Sequence, residues 1–419
     1  DGWAYGQWFW FSYAANTTLM VLVTILFRYS DFVRLLGGTE LQLGWIVGAG
    51  AVGSLAMRLL QGKGVDRYGP RMIWLASLAT VVVTMLAHLA ISRPDGAGIY
   101  AVRIAYQTGI AGAFGASIAY VSLRAPLLRM AELVGTLGTS GFVGMTIGAL
   151  LGDLLCAASP LRRTHMDRLF LVAAGLAVLS LLCAATATRG QIRPQHRRRP
   201  PILWLLRKYH PGRLLLMGAA MGAGVSLPGT FLRPYTESLG IEEMASFFVT
   251  YAATAFVTRL VTRRLPDRLG VRPTVLLGMG CLTASMVLYL VATSPALLVL
   301  PAVAAGLAHA LLFPSVVAGG SRSFPVRHRG LATAFMLGAF DLGNLLGMPL
   351  AGTVVSYAPL VGLPPYATMF LAVAAAVALS SVFFAMGPRS PALGNNRSNG
   401  GVPLRNRRSA SNPTPASRA

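Results

Sequence analysis

Acidic side chains are scarce in this sequence. Asp and Glu number 13 against 36 Lys and Arg, and charged residues of both signs make up 12% of the 419 positions. A soluble domain carries about a quarter charged residues, so half the usual surface chemistry is missing and a water-bathed globule is excluded. Cysteine is nearly absent. Cys156, Cys183 and Cys281 fall in or beside apolar segments, at spacings that fit neither a metal site nor a disulfide framework. They read as small buried hydrophobes. There is no H-E-x-x-H, no G-x-x-x-x-G-K-[ST], and no stretch that joins a nucleophile to a base. ATP-driven pumping within this chain is thereby excluded, and no enzyme activity, metal or cofactor is expected.

What is present in excess is apolar length. Hydrophobic residues make up 54% of the chain and mean hydropathy is +0.61. A helix needs roughly 20 apolar residues to cross about 30 Å of hydrocarbon. Twelve such runs can be counted, from 7–27 through 99–121 and 330–356 to 366–387, with "MIWLASLATVVVTMLAHLAIS" at 72–92 typical. One such run could be a buried soluble core, but not twelve. The first is too long for a secretory signal and lacks a basic start. The chain begins at Asp1 rather than Met, so residues ahead of it are expected.

The net charge of +23 invites a nucleic-acid partner, but its distribution argues against one. Eight basic residues lie in 188–213, six lie beyond 388, and others cluster at 58–71, 124–129, 259–272 and 322–329. All these segments share one side if twelve spans alternate. The opposite loops are poorer in basic residues, with an exception at Arg162, Arg163 and Arg168. This asymmetry puts both termini in the cytoplasm, with anionic lipid rather than nucleic acid as the partner of the basic loops. The expected organisation is an N-terminal six-helix bundle over 1–187, a basic linker over 188–210, a C-terminal six-helix bundle over 211–387, and a disordered tail over 388–419. The tail is too rich in Pro, Gly, Asn and Ser to bury a core.

A duplication underlies the two bundles. "GKGVDRYGPR" at 62–71 and "RRLPDRLGVR" at 263–272 share Asp, Arg, Gly and Arg at an offset of 201 residues, and Arg58-Leu59 maps onto Arg259-Leu260 in the same frame. Each copy lies between the second and third span of its half. Gly144-x-x-x-Gly148 in span five is echoed by Gly343-x-x-x-Gly347 in span eleven, 199 residues later. Two parallel six-helix halves about an axis along the membrane normal are a transporter plan.

With both turns in these places, the chain resembles the major facilitator superfamily from about residue 7 to 387. That family's signature turn reads approximately G-x-L-x-D-R-x-G-R-R. The first copy here has Gly62, Val65, Asp66, Arg67, Gly69 and Arg71, and departs at Gly64 and Pro70. The second keeps Asp267, Arg268, Gly270 and Arg272, with Arg263 in place of the leading Gly. The resemblance implies an all-α membrane protein of twelve helices, working by alternating access in the inner membrane of a bacterium. It also implies a cytoplasmic gate at the signature turns, with Asp66 as a latch. A pair of solvated turn charges that only orient the helices is the alternative. Gly135, Gly144, Gly148 and Gly152 match the spacing of the antiporter motif of drug:proton exchangers, with Ala149 where that motif has Pro and Asp153 where it has its last Gly. Glycines recurring every four residues also suit plain helix packing. Arg103, Gln107 and Gly109 partly resemble the R-x-x-Q-G-x-G pattern of exporters, with the Gln one place late. Arg103 could equally snorkel to the interface.

Asp341 is the sharpest single residue. It lies about eleven residues into span eleven, where a carboxylate costs roughly 2.5–3.5 kcal/mol on insertion scales. It should therefore face a wet cavity or a partner, with Asn344 on the same face and Gly343 and Gly347 turned toward a neighbour. Tyr13, Asn16, Tyr251, His309 and Asp153 are further cavity candidates. The leading expectation is a monomeric secondary transporter that exports a small organic molecule in exchange for protons. Symport of a sugar or organic acid is the alternative within transport, and a non-transporting membrane sensor is the alternative outside it.

Overall fold

Hydrocarbon offers the backbone no hydrogen-bond partners, so an apolar run that crosses it folds as a helix. The computed structural model describes residues 5–126, 129–157, 160–190, 207–262, 265–325 and 328–387. It divides into two compact units, Asp1–Ala385 and Met386–Ala419. Only Met386 and Gly387 of the second unit are among the described residues, so the expected tail lies outside them, as do 191–206 of the expected linker.

Among the described residues of the first unit there are twelve long helices. They are α1 (Gln7–Leu35), α2 (Glu40–Gln61), α3 (Gly64–Ala90), α4 (Ala97–Arg124), α5 (Glu132–Leu155), α6 (Arg163–Ala187), α7 (Leu214–Ser238), α8 (Ala245–Thr262), α9 (Val271–Val291), α10 (Val299–Arg322), α11 (Gly330–Val361) and α12 (Pro365–Ala385). Eleven are long and apolar enough to cross a membrane. The remaining one, α4, is 28 residues long but diluted by Arg103, Gln107 and several glycines and tyrosines. Its position on a polar cavity, described below, explains that dilution. Large apolar side chains such as Leu182, Val261, Leu360 and Leu379 stand exposed on the outer faces, as a lipid-facing surface requires.

Two boundaries differ from the sequence expectation. The first helix does not stop near residue 27, because a 3-10 turn at Leu26–Arg28 carries it into a further helical segment, Tyr29–Leu35. The second and third helices form one stretch, Glu40–Ala87, interrupted at Gly69. Gly69 has φ 83 and ψ 156, and its counterpart Gly270 has φ 90 and ψ 162. That region is essentially open to glycine alone, so the glycine of each signature turn sets the reversal. At the far end of α2, Thr39 accepts from the Gln42 amide at 3.3 Å and Gln42 accepts from the Thr39 amide at 3.0 Å, a reciprocal cap.

Neighbouring helices alternate in direction, so the turns form two sets, one at the end marked by Arg71 and Thr188, the connector end, and one at the distal end. Within the N-terminal six, α5 runs along α1; within the C-terminal six, α11 runs along α7. A Cβ on Gly144 would lie 2.6 Å from the Thr17 carbonyl oxygen, and one on Gly343 would overlap that of Ala219. Between the two sets, α2 packs on α11 and α5 on α8.

Candidate functional site

A cavity of about 830 Å³ lies inside the first unit. Its walls come from α1, α2, α4 and α5 on one side and α7, α8, α10 and α11 on the other; α3, α6, α9 and α12 contribute none of its lining residues. Of the expected cavity residues, Asn16, Arg103, Gln107, Tyr251, His309, Asp341 and Asn344 all line it. Only the packing of eight helices brings these side chains together.

Asp341 is 5% exposed and forms an ion pair with Arg58 Nε. The pair joins α11 to α2, hence the C-terminal six helices to the N-terminal six. Arg58 was visible in the sequence only as part of the duplicated frame. Its partner is 283 residues away, beyond what any local pattern carries. Asn344 lines the same cavity, and its Oδ1 has no hydrogen-bond partner among the described residues. Asn16 donates to Ser117 Oγ at 3.0 Å and its Oδ1 is likewise free of a partner. Tyr251 and His309 share a hydrogen bond between α8 and α10.

Arg103 does not snorkel. It is 7% exposed, and its guanidinium lies 4.5 Å from the ring centre of Tyr29 and 5.0 Å from that of Tyr106. Nε and Nη1 have no hydrogen-bond partner among the described residues. Each cation–π contact contributes about 0.5–2 kcal/mol, whereas the effective penalty for burying an ion is several kcal/mol. The deficit is tolerable because the side chain borders a cavity that can hold water or a counter-charge. A third arginine, Arg259, also lines the cavity, with its guanidinium 5.9 Å from the centre of the Phe142 ring.

The cavity is closed at the distal end by charges of which the sequence reading singled out only Asp153. Asp31 accepts from Arg233 Nε at 3.0 Å and from Arg28 Nη1 at 3.3 Å. Arg28 Nη2 donates to Asp153 at 2.5 Å and to the Glu242 carbonyl at 3.0 Å. Arg34 pairs with Glu237 nearby. The rings of Phe27 and Phe248, 4.6 Å apart, sit beneath this network as an apolar plug. Lone charges at the ends of apolar runs were the available signal.

Several expected site residues fall elsewhere. Asp153 is not a cavity acid: besides Arg28, its carboxylate accepts from the amides of Met244 and Ala245 at 2.8 and 2.6 Å, capping the start of α8. Tyr13 does not line the cavity, because its hydroxyl turns to Thr139 at 3.2 Å. Gly144 and Gly148 pack against α1, but a Cβ on Gly135 would meet nothing within 4 Å, and one on Gly152 would be in ordinary contact with Ile25 at 3.7 Å. Arg71 donates to the Thr188 carbonyl at 2.7 Å, and Arg272 to that of Ala385. Each therefore ties its turn to the end of the sixth helix of its own half, not across to the other half. Asp66 is half-buried, Arg67 and Arg268 are exposed, and the side chain of Asp267 lies outside the described residues, as does Arg263.

Comparison with known proteins agrees with this architecture. The sequence profile of the Major Facilitator Superfamily matches residues 9–265 and 214–416. An uncharacterized MFS-type transporter of Escherichia coli K12, YhhS, is 23% identical over 380 residues, covering 88% of this chain and 89% of its own length. The YhhS of Salmonella typhi is 26% identical over 257 residues, covering 60% of this chain and 59% of its own length. Among solved structures, the nucleoside transporter NupG superposes with a TM-score of 0.71 at 15% identity, covering 90% of this chain and 97% of that one. A D-xylose-proton symporter does so with the same TM-score of 0.71 at 15% identity, covering 90% and 96%. At such identities these structures share the fold.

Proposed function

The chain belongs to the Major Facilitator Superfamily of membrane transporters, and from that premise we propose that it exports a small organic molecule in exchange for protons. The observation that carries this reading is the Arg58–Asp341 ion pair, which joins the two halves inside the cavity. Such a pair is a chemical switch. A proton on Asp341 cancels its charge and releases Arg58, and the contact between α2 and α11 loses its electrostatic component. The halves can then rock about the cavity, and loss of the proton on the other side restores the pair.

The basic loops favour an orientation with the connector end in the cytoplasm, against anionic lipid. The distal network then closes the external side, while the lining extends toward the connector end through Ile118, Val134, Ser321 and Thr333. In an exporter that is the loading state. The close packing of Gly144 and Gly148 on α1 supports the same direction, since these are the positions shared with the antiporter motif. In the opposite state the signature turns, with Asp66 and Asp267, would hold the cytoplasmic ends together.

The test is transport in proteoliposomes. Asp341→Asn keeps the shape of the side chain and removes its charge. Flux driven by a proton gradient should fall by at least about tenfold, while exchange of substrate across the membrane without a gradient persists. Full proton-driven flux in Asp341→Asn removes Asp341 as the coupling site. Loss of exchange and driven flux in parallel, with lower stability, assigns the pair a structural role. Accumulation in the same direction as the proton gradient replaces export with symport.

A further inference from the structure

The cavity wall carries more positive charge than it neutralises. Its arginines are Arg58, Arg103 and Arg259, and Asp341 is its one acidic lining residue among those described. Asp341 is already paired with Arg58. Arg103 and Arg259 are left without an acidic partner among the described lining residues.

The duplication identifies the missing acid. Arg58 and Arg259 are related by the offset of the signature turns, 201 residues. Counting back from Asp341 by the offset of the glycine pairs, 199 residues, reaches Phe142. The geometry follows the arithmetic. Arg58 on α2 faces Asp341 on α11, and Arg259 on α8 faces the Phe142 ring on α5 at 5.9 Å. Of two equivalent arginines, one meets a carboxylate and the other an aromatic ring. Arg103 is a separate, deeper case: 7% exposed, bordered by two tyrosine rings, with two nitrogens lacking partners among the described residues.

We infer that the cavity takes a small organic anion, whose carboxylate or phosphate-type group is held at Arg103 and is drawn in by the field of Arg259. The inference rests on reading this cavity as the transport site. A low-dielectric cleft lined by charge of one sign concentrates ligands of the other, and guanidinium groups suit both carboxylate and phosphate oxygens. The remaining lining includes Phe27, Tyr106, Phe142 and Phe248, which suits an organic body rather than an inorganic ion. A neutral sugar or nucleoside leaves the excess charge in place, and a cationic drug adds to it.

The test is thermal stabilisation of the purified full-length chain in detergent at fixed ionic strength. The probes are succinate, benzoate and phenyl phosphate as anions, xylose and uridine as neutral solutes, and tetraphenylphosphonium as a cation. At least one anion should raise the melting temperature. Arg103→Gln should weaken its apparent affinity by about tenfold or more. Arg103→Lys, which retains charge without the planar fork, should fall between Arg103→Gln and the unmodified chain, and Arg259→Gln should weaken binding less than Arg103→Gln. Stabilisation by the neutral or cationic probes alone, by none of the anions, or undiminished in both glutamine variants overturns the inference. Binding in detergent does not require transport. An anion that binds but shows no counterflow leaves this inference standing and removes the transport reading; a neutral solute that is carried does the reverse.

Discussion

The two halves of the molecule use one framework and differ in what they attach to it. Glycine with φ 83 or 90 sits in the signature turn of each. The last arginine of each signature turn ties itself to the end of its own sixth helix, Arg71 to Thr188 and Arg272 to Ala385. Gly144 on α1 and Gly343 on α7 bring backbones together in the same way. The differences lie where the halves meet. Arg58 has a carboxylate and Arg259 a phenyl ring. At the end of α5, Asp153 reaches across to cap α8; in α11, 199 residues later, Gly352 lets the backbone of Glu40 on α2 approach directly. Asp31 and Arg233, 202 residues apart, pair with each other across the distal end. Packing within a half tolerates little divergence, because close-packed backbones leave no room. Positions facing the cavity and the other half are free to become unlike.

The comparison can be broken most severely at the glycines. Gly343→Ala places a methyl group on the Ala219 carbonyl oxygen, a backbone atom that cannot turn aside. The expected cost is at the upper end of the roughly 1–3 kcal/mol typical of overpacking, or beyond it, read as loss of folded protein and a lower melting temperature. Gly144→Ala, with 2.6 Å available to the Thr17 oxygen, should lose less. Equal losses would mean that the tighter α7–α11 approach is not the more demanding one.

A second change makes the halves alike at the cavity. Phe142→Asp gives Arg259 the acid that Arg58 already has. Loss of the buried ring should lower stability, with the new ion pair offsetting only part of the cost, while stabilisation by anionic probes should drop several-fold as the positive field falls. Undiminished anion binding in Phe142→Asp would show that Arg259 contributes nothing to the field at the site.

The smallest effect is expected at Gly135. Nothing lies within 4 Å of a Cβ built there, so Gly135→Ala gains only helix propensity, up to about 1 kcal/mol, with transport unchanged. A loss of transport would restore Gly135 to the packing motif from which its open surroundings separate it.

Hydropathy, the repeated turn and the basic loops were enough to read an all-helical membrane protein with a duplicated plan, because helix formation in hydrocarbon is dictated locally by the backbone's own hydrogen bonds. Asp341 could be singled out for the same reason: a carboxylate at that depth is costly wherever it points. The sequence alone could not say that Asp341 faces Arg58, that Arg103 stands buried without an acid, or that Asp153 caps α8 instead of lining the cavity. These pairings join residues from 91 to 283 positions apart. They depend on which faces the helices turn to one another, and only the packing of the two halves against each other decides that.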